Sequence, residues 1–128
     1  METPNPHYEK IGGELGVRKL VETFYHIMDT APMATSIRQL HPDDLSSSKE
    51  KLFMFLSGWL GGPPLYTEKH GHPRLRQRHL PFSIGDRERD QWMECMSQAM
   101  RQCNLDEELG QQLKDSFSKT ADFLRNQP

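Results

Sequence analysis

The sequence predicts an all-α domain, and three observations carry that reading. Val and Ile together number 6 against 21 for Leu and Met, and unbranched or γ-branched side chains lose little rotamer freedom in a helix. Apolar residues recur at helical rather than strand spacing along most of the chain. A length of 128 residues suits one domain, expected to span 1–128 and to bury about two thirds of the surface of its unfolded form.

In chain order, a lead-in ends at Gly12-Gly13, after which Val17, Leu20, Val21, Phe24, Ile27 and Met28 form an apolar stripe that predicts a helix over about 14–29. The stretch TAPMATSIRQLHPDDL contains Pro32 and Pro42 and predicts short turns or single-turn helices. Ser47 with Glu50 reads as a capping box opening a second long helix, with Ser48, Leu52, Phe55, Leu56 and Trp59 on one face. Gly61-Gly62-Pro63-Pro64 closes it. Asp86 predicts the N-cap of a third helix, whose stripe is Trp92, Met96, Ala99, Met100 and Cys103. Asp106-Glu107-Glu108 puts acids where the helix dipole favours them and opens a fourth, followed by Leu109, Leu113, Phe117, Ala121 and Leu124.

Composition narrows the function. A net charge of −2, from 16 basic and 18 acidic residues, produces no global field toward nucleic acid or an anionic membrane. No run approaches the roughly 18 apolar residues of a membrane span, and METPNPHYEK lacks the basic and apolar regions of a secretory leader. A cytoplasmic protein with neither nucleic-acid nor membrane partner is expected. Cys95 and Cys103 fall about 12 Å apart along one predicted helix, beyond the reach of a disulfide, and read as small, reduced core residues. Leu, Ile, Val and Phe supply only 26 of 128 residues, near the roughly 20 % level below which unaided folding is not expected. An apolar component beyond the polypeptide is therefore implied.

Gly61 to Gly85 holds four prolines and four glycines between the second and third helices, and so long a connection is usually functional. Within it, residues 71–85 read GHPRLRQRHLPFSIG. Pro73 predicts the start and Pro81 the end of a helix of about two turns. Leu75 and His79 share one face of it and Arg74 and Arg78 a neighbouring one, with Phe82 three residues beyond His79. His79 then points inward with Arg78 at the rim. Four chemistries fit this placement. One is a buried histidine bonded to a carbonyl beside solvated arginines; a second is a zinc site of His70, His72 and His79. A third is an arginine clamp for phosphate or carboxylate. The fourth is an imidazole ligand for an iron porphyrin, with a rim cation for its propionates, which would also supply the missing apolar volume.

GHPRLRQRHLPFSIG followed by DRERDQWMECM, with Gly12-Gly13, Phe24-Tyr25 and WLGGP in this order and spacing, resembles the truncated haemoglobins of group II, from about His7 to Leu124. The resemblance implies a truncated globin, a two-over-two helical sandwich enclosing haem b, iron protoporphyrin IX. It implies His79 as the proximal iron ligand, Trp92 as the pocket tryptophan and Tyr25 as the distal tyrosine. Arg78, with Lys51 and Tyr66, is expected at the propionates, and Phe24, Ser48, Leu52, Phe55, Leu75, Phe82 and Met96 are expected to line the haem pocket. The chain departs from ordinary globins at the distal helix. Ser48 stands where a histidine would be expected, with Leu52 one turn on, so polar contacts to ligand pass to Tyr25, Trp92 and His41, the last in the corner before Pro42. The function implied is the binding of O2, CO, NO or similar ligands at a histidine-ligated iron, and with it oxygen transport; simple storage is not expected, since a pocket rich in donors can also polarise an O–O bond. The alternative is a haem redox enzyme, acting on nitric oxide or in a peroxidase-like reaction with a reductase that the sequence does not identify.

Overall fold

A computed structural model describes residues 7–127. The segment METPNP, on which part of the expectation about a leader rests, lies outside them. All regular structure among the described residues is helical: α1 (His7–Ile11), α2 (Gly13–Thr30), a 3-10 turn (Pro32–Ala34), α3 (Thr35–Gln39), α4 (Ser46–Trp59), α5 (Leu65–His70), α6 (Leu75–His79), α7 (Asp86–Gln102) and α8 (Glu107–Phe123). No described helix is long and apolar enough to cross a membrane.

Helix α2 packs against both α4 and α7, and α7 packs against α8, so the pairs α2/α4 and α7/α8 meet through α2 and α7 in a two-over-two sandwich. The apolar stripes supply the reason. Val17, Leu20, Val21, Phe24 and Met28 of α2 meet Leu56 and Leu60 at the end of α4, Met96 and Ala99 of α7, and Leu113 of α8, each at most 1 % exposed. Cys95 is buried and Cys103 half-buried, both free, and burial pushes the Cys95 thiol up to about 11.

The Gly12-Gly13 signal marks the turn by which the chain enters α2, with Gly12 at φ 109°. Ahead of it lies the short α1, which has no period of its own and is held by packing. The Tyr8 N–H donates to the Leu60 carbonyl at 2.9 Å, and the Tyr8 ring fills the space a side chain at Gly62 would need. Two helix starts differ from the sequence reading. Helix α4 begins at Ser46, because the Asp44 carboxylate accepts the Ser46 N–H at 2.9 Å. Its hydrogen bonds to Ser46 hold the Asp44 carboxyl below the usual range, and Ser47 does not serve as a cap. Helix α7 takes Gly85 as its N-cap, the Gly85 N–H donating to Glu88 Oε1 at 2.9 Å. That frees Asp86 to face outward, 2.6 Å from Arg125 Nη1. At α8 the reading holds: Asp106 Oδ2 accepts the Leu109 N–H at 3.1 Å.

The end of α8 is tied to α7 by charge. Asp122 Oδ1 lies 2.8 Å from Arg89 Nη1 and 2.9 Å from Arg125 Nε. The Arg89 hydrogen bond, with Arg125 beside it, holds the Asp122 carboxyl below the ordinary carboxylate range. A carboxylate depressed in the folded state contributes stability above its unfolded pKa and loses it as pH falls through the folded one. Asp122→Asn is therefore expected to melt below the parent protein at neutral pH. The gap should close on acidification below about pH 4, and thermal melts across that range check it; a gap of constant size would deny the ion pairs this role.

Candidate functional site

Helix α6 is a single turn. The sequence reading had it start at Pro73 and run about two turns, but Arg74 adopts left-handed angles, φ 45° and ψ 52°, and keeps Pro73 outside it. Two local bonds support this kink: the Arg74 N–H donates to His72 Nδ1 at 3.1 Å and Arg78 Nε donates to the Pro73 carbonyl at 2.8 Å. At the end of the turn, His79 Nδ1 stands 2.6 Å from the Leu75 carbonyl. A carbonyl can only accept, so Nδ1 carries the hydrogen, and of the two ring nitrogens Nε2 is the one left to act as a ligand.

His41 repeats the device in the corner after α3, with Nδ1 donating to the Ile37 carbonyl at 2.9 Å. Burial pulls the His41 pKa down most; the Ile37 bond opposes this, and repulsion from Arg38 and then His79 adds to it.

Tyr25 projects from α2, buried at 5 % exposure, and its hydroxyl donates to the Ser48 backbone carbonyl over a long 3.4 Å. Burial pushes its pKa well above the usual phenol range, so it remains a protonated donor. Its ring meets Phe24 edge-on at 5.0 Å and His41 at 5.8 Å. Phe24 in turn lies 5.1 Å from Trp92 on α7. The file of rings continues through Trp92 and Phe117 at 5.5 Å to Trp59, stacked on Phe117 at 4.6 Å. Tyr25, His41, Trp92 and Phe24 are thus brought together, and Ser48 joins them through its carbonyl rather than its hydroxyl.

The other expected residues are placed less evenly. Met96 is fully buried, and Leu52 and Phe55 are half-buried against the core. Tyr66 sits 6.4 Å from Phe55 with the Arg78 guanidinium 5.7 Å from its ring, so these two expected propionate partners are neighbours. Lys51 is exposed on α4 and Leu75 is half-buried on α6. Phe82 is 42 % exposed, and Ile84, which the sequence reading passed over, takes the buried position at 8 %. Asn126 was missed as well: it bonds the backbone of this segment at three points, and a single asparagine past the last helix carries no motif.

No group of three or more His, Cys, Asp or Glu gathers among the described residues. His72 accepts from Arg74, and His70 packs on Tyr66 at 4.9 Å, so the zinc set is not assembled. Arg76 and Arg78 spend hydrogen bonds on the carbonyls of Phe123 and Pro73 rather than converging as a clamp. The residue types present fit haem: an imidazole, His79, whose Nδ1–H is committed to a carbonyl, the apolar Leu52, Phe55 and Ile84, a protonated Tyr25 and the Trp92 indole, and a cation beside Tyr66.

The sequence profile of the bacterial-like globins matches residues 6–126. The group 2 truncated haemoglobin YjbI of Bacillus subtilis is 43 % identical over 123 residues, 96 % of this chain and 90 % of that protein. The group II 2-on-2 haemoglobin of Agrobacterium tumefaciens superposes with a TM-score of 0.94 at 44 % identity, covering 100 % of this chain and 98 % of the other. A cold-adapted truncated haemoglobin of the Antarctic bacterium Pseudoalteromonas haloplanktis TAC125 gives 0.92 at 44 % identity, covering 94 % and 98 %. The truncated oxygen-avid haemoglobin of Bacillus subtilis gives 0.85 at 42 % identity, covering 93 % and 98 %. The chain belongs to the bacterial-like globins, and within them to the group II truncated haemoglobins, a family whose cofactor is haem.

Proposed function

We propose that this protein, read as one domain over residues 1–128, binds O2 and related diatomic ligands such as CO and NO at haem b held by His79. The observation that carries the reading is the 2.6 Å bond from His79 Nδ1 to the Leu75 carbonyl, which commits one ring nitrogen and leaves Nε2 as a ligand. Haem, when bound, supplies an iron with a coordination position open to a small molecule. The chain supplies the rest. The Leu75 carbonyl orients the His79 ring and raises its basicity. Arg78, Tyr66 and Lys51 meet the propionates, and Phe24, Leu52, Phe55, Leu75 and Met96, with Ile84 in place of the outward-turned Phe82, exclude water around the ring.

Tyr25 and Trp92 are the donors toward a ligand bearing partial negative charge. Tyr25 is held loosely by its 3.4 Å contact to Ser48, and the Trp92 indole N–H has no protein acceptor among the described residues, so both can turn to the ligand at little cost. His41 works differently from a donor. With its pKa lowered and Nδ1 bound to Ile37, the neutral ring presents an accepting Nε2 and has no hydrogen to offer the ligand, so its place beside Tyr25 is one of packing. The likeness to a haemoglobin described as oxygen-avid supports O2 as a ligand.

The test is a haem titration followed by absorption spectroscopy of the ferrous protein under argon, O2 and CO. Equimolar uptake with a Soret band that shifts with each gas is expected; a chain that takes up no haem overturns the proposal. Because Leu, Ile, Val and Phe are few, the same material yields a second expectation. A ligand at 100 times its Kd stabilises the fold by about 2.7 kcal/mol, which at this chain length raises Tm by roughly 10 °C. Equal melting temperatures with and without haem would remove the idea that haem completes the core.

A further inference from the structure

The geometry points to Asn126 as a positioning residue for His79, setting the orientation of the imidazole from outside its own helix; this rests on the reading of His79 as the iron ligand. A five-residue helix cannot hold its shape alone, and the segment after it supplies little. The Leu80 N–H reaches the Gln77 carbonyl at 3.4 Å and the Phe82 N–H reaches the His79 carbonyl at 3.0 Å, while Pro81 has no N–H to give.

Asn126 closes this gap with its whole amide. Its Nδ2 donates to the Phe82 carbonyl at 2.7 Å and to the His79 carbonyl at 3.2 Å, and its Oδ1 accepts the Ile84 N–H at 2.9 Å. The opposite amide orientation would set Oδ1 against two carbonyls and Nδ2 against an N–H, so the network admits one assignment. The main chain adds to it: the N–H groups of Asn126 and Gln127 both donate to the Ile84 carbonyl, at 2.8 and 3.1 Å. Arg125 on Asp86 at 2.6 Å and Arg76 on the Phe123 carbonyl at 3.1 Å fasten the segment on either side.

The His79 residue is therefore held at its ring, where Nδ1 meets the Leu75 carbonyl, and at its own carbonyl, which accepts both the Phe82 N–H and Asn126 Nδ2, while Asn126 also fixes the Phe82 carbonyl and the Ile84 N–H that follow. Removing the Asn126 amide leaves that carbonyl with the Phe82 N–H alone and unties Phe82 and Ile84 from the end of the chain, so the turn that carries His79 loosens and the ring orientation with it. The bond from Nε2 to iron is the quantity that should respond.

The experiment uses the full chain loaded with haem. Resonance Raman spectra of the ferrous, ligand-free protein report the iron–histidine stretching band, and haem transfer to excess apomyoglobin reports retention. In Asn126→Ala the band is expected to shift and broaden and haem loss to rise about 5- to 30-fold, the range for losing one or two net hydrogen bonds. Asn126→Ser, which keeps one short donor, should fall between, and it serves also if Asn126→Ala fails to accumulate. Gln127→Ala, whose bond to Ile84 is made by its main chain, should leave the band unchanged. A band at the parent position and width in Asn126→Ala, even with faster haem loss, overturns the inference: Asn126 would then only tie down the chain. Absence of the band from the parent protein overturns instead the assignment of His79 as ligand.

Discussion

His79→Ala is expected to lower haem affinity by more than about 100-fold, since removing only an outer-sphere partner of a ligand already costs 10- to 100-fold. No other imidazole of the proximal segment can substitute. His72 Nδ1 accepts the Arg74 N–H at 3.1 Å, and His70 packs 4.9 Å from the Tyr66 ring. Reaching the place of His79 would require either ring to abandon its contact and cross the kink at Arg74. Free imidazole added to His79→Gly should partly restore the ferrous spectrum, because the cavity left has the shape of the missing ring. Haem content and the ferrous spectrum are the readouts. A variant with parental values for both would show that iron is held elsewhere, and the proposed site would fall.

The second large effect is expected on O2 release. A hydrogen bond to a partly charged group contributes about 1.5–3 kcal/mol, and 1.4 kcal/mol is tenfold, so removing the dominant donor should accelerate dissociation by roughly 10- to 100-fold. Tyr25→Phe and Trp92→Phe are the variants that remove the two donors. CO, which accumulates less charge, should respond less. His41→Phe should change O2 release less than either, since the His41 Nδ1–H is committed to the Ile37 carbonyl, and Ser48→Ala least of all, since the carbonyl that Tyr25 touches survives the substitution. Stopped-flow dissociation of O2 and CO across the four variants decides the order. If Ser48→Ala released O2 faster than both Tyr25→Phe and Trp92→Phe, α4 would be supplying the polar contact and the pocket would have to be redrawn.

What could be read from the residues beforehand divides along physical lines. The long helices α2, α7 and α8 announce themselves because a periodic apolar stripe extends over several turns, and burial of that stripe is what stabilises them. Helix α4 is legible as a helix, but its buried face is Phe53, Met54, Leu56 and Ser57, and of the face read from the sequence only Leu56 is buried while Ser48, Leu52, Phe55 and Trp59 are half-buried. Helices α1, α5 and α6 span five, six and five residues, too few for a period, and depend on contacts remote in sequence. Tyr8 against Leu60 and Gly62 is one such contact. Helix starts were misplaced where a neighbouring residue took over the capping, as Asp44 does for α4 and Gly85 with Glu88 for α7. At the site, the pairing of Leu75 with His79 followed from their spacing. Which ring nitrogen is free did not, nor did the outward turn of Phe82, nor Asn126, since these depend on where carbonyls fall after folding.

The file of rings from His41 to Trp59 has an optical consequence. Both tryptophans of the chain are members of it: Trp92 at the pocket, and Trp59 one ring removed across Phe117. Indole emission passes its energy to a nearby pigment that absorbs in the same range, and porphyrin does so strongly. All of the tryptophan fluorescence of this protein therefore originates within a short span of the proposed pocket, with no distant indole to contribute a constant background. The emission should fade as the pocket fills and return as it empties, which makes the unlabelled chain its own gauge of occupancy.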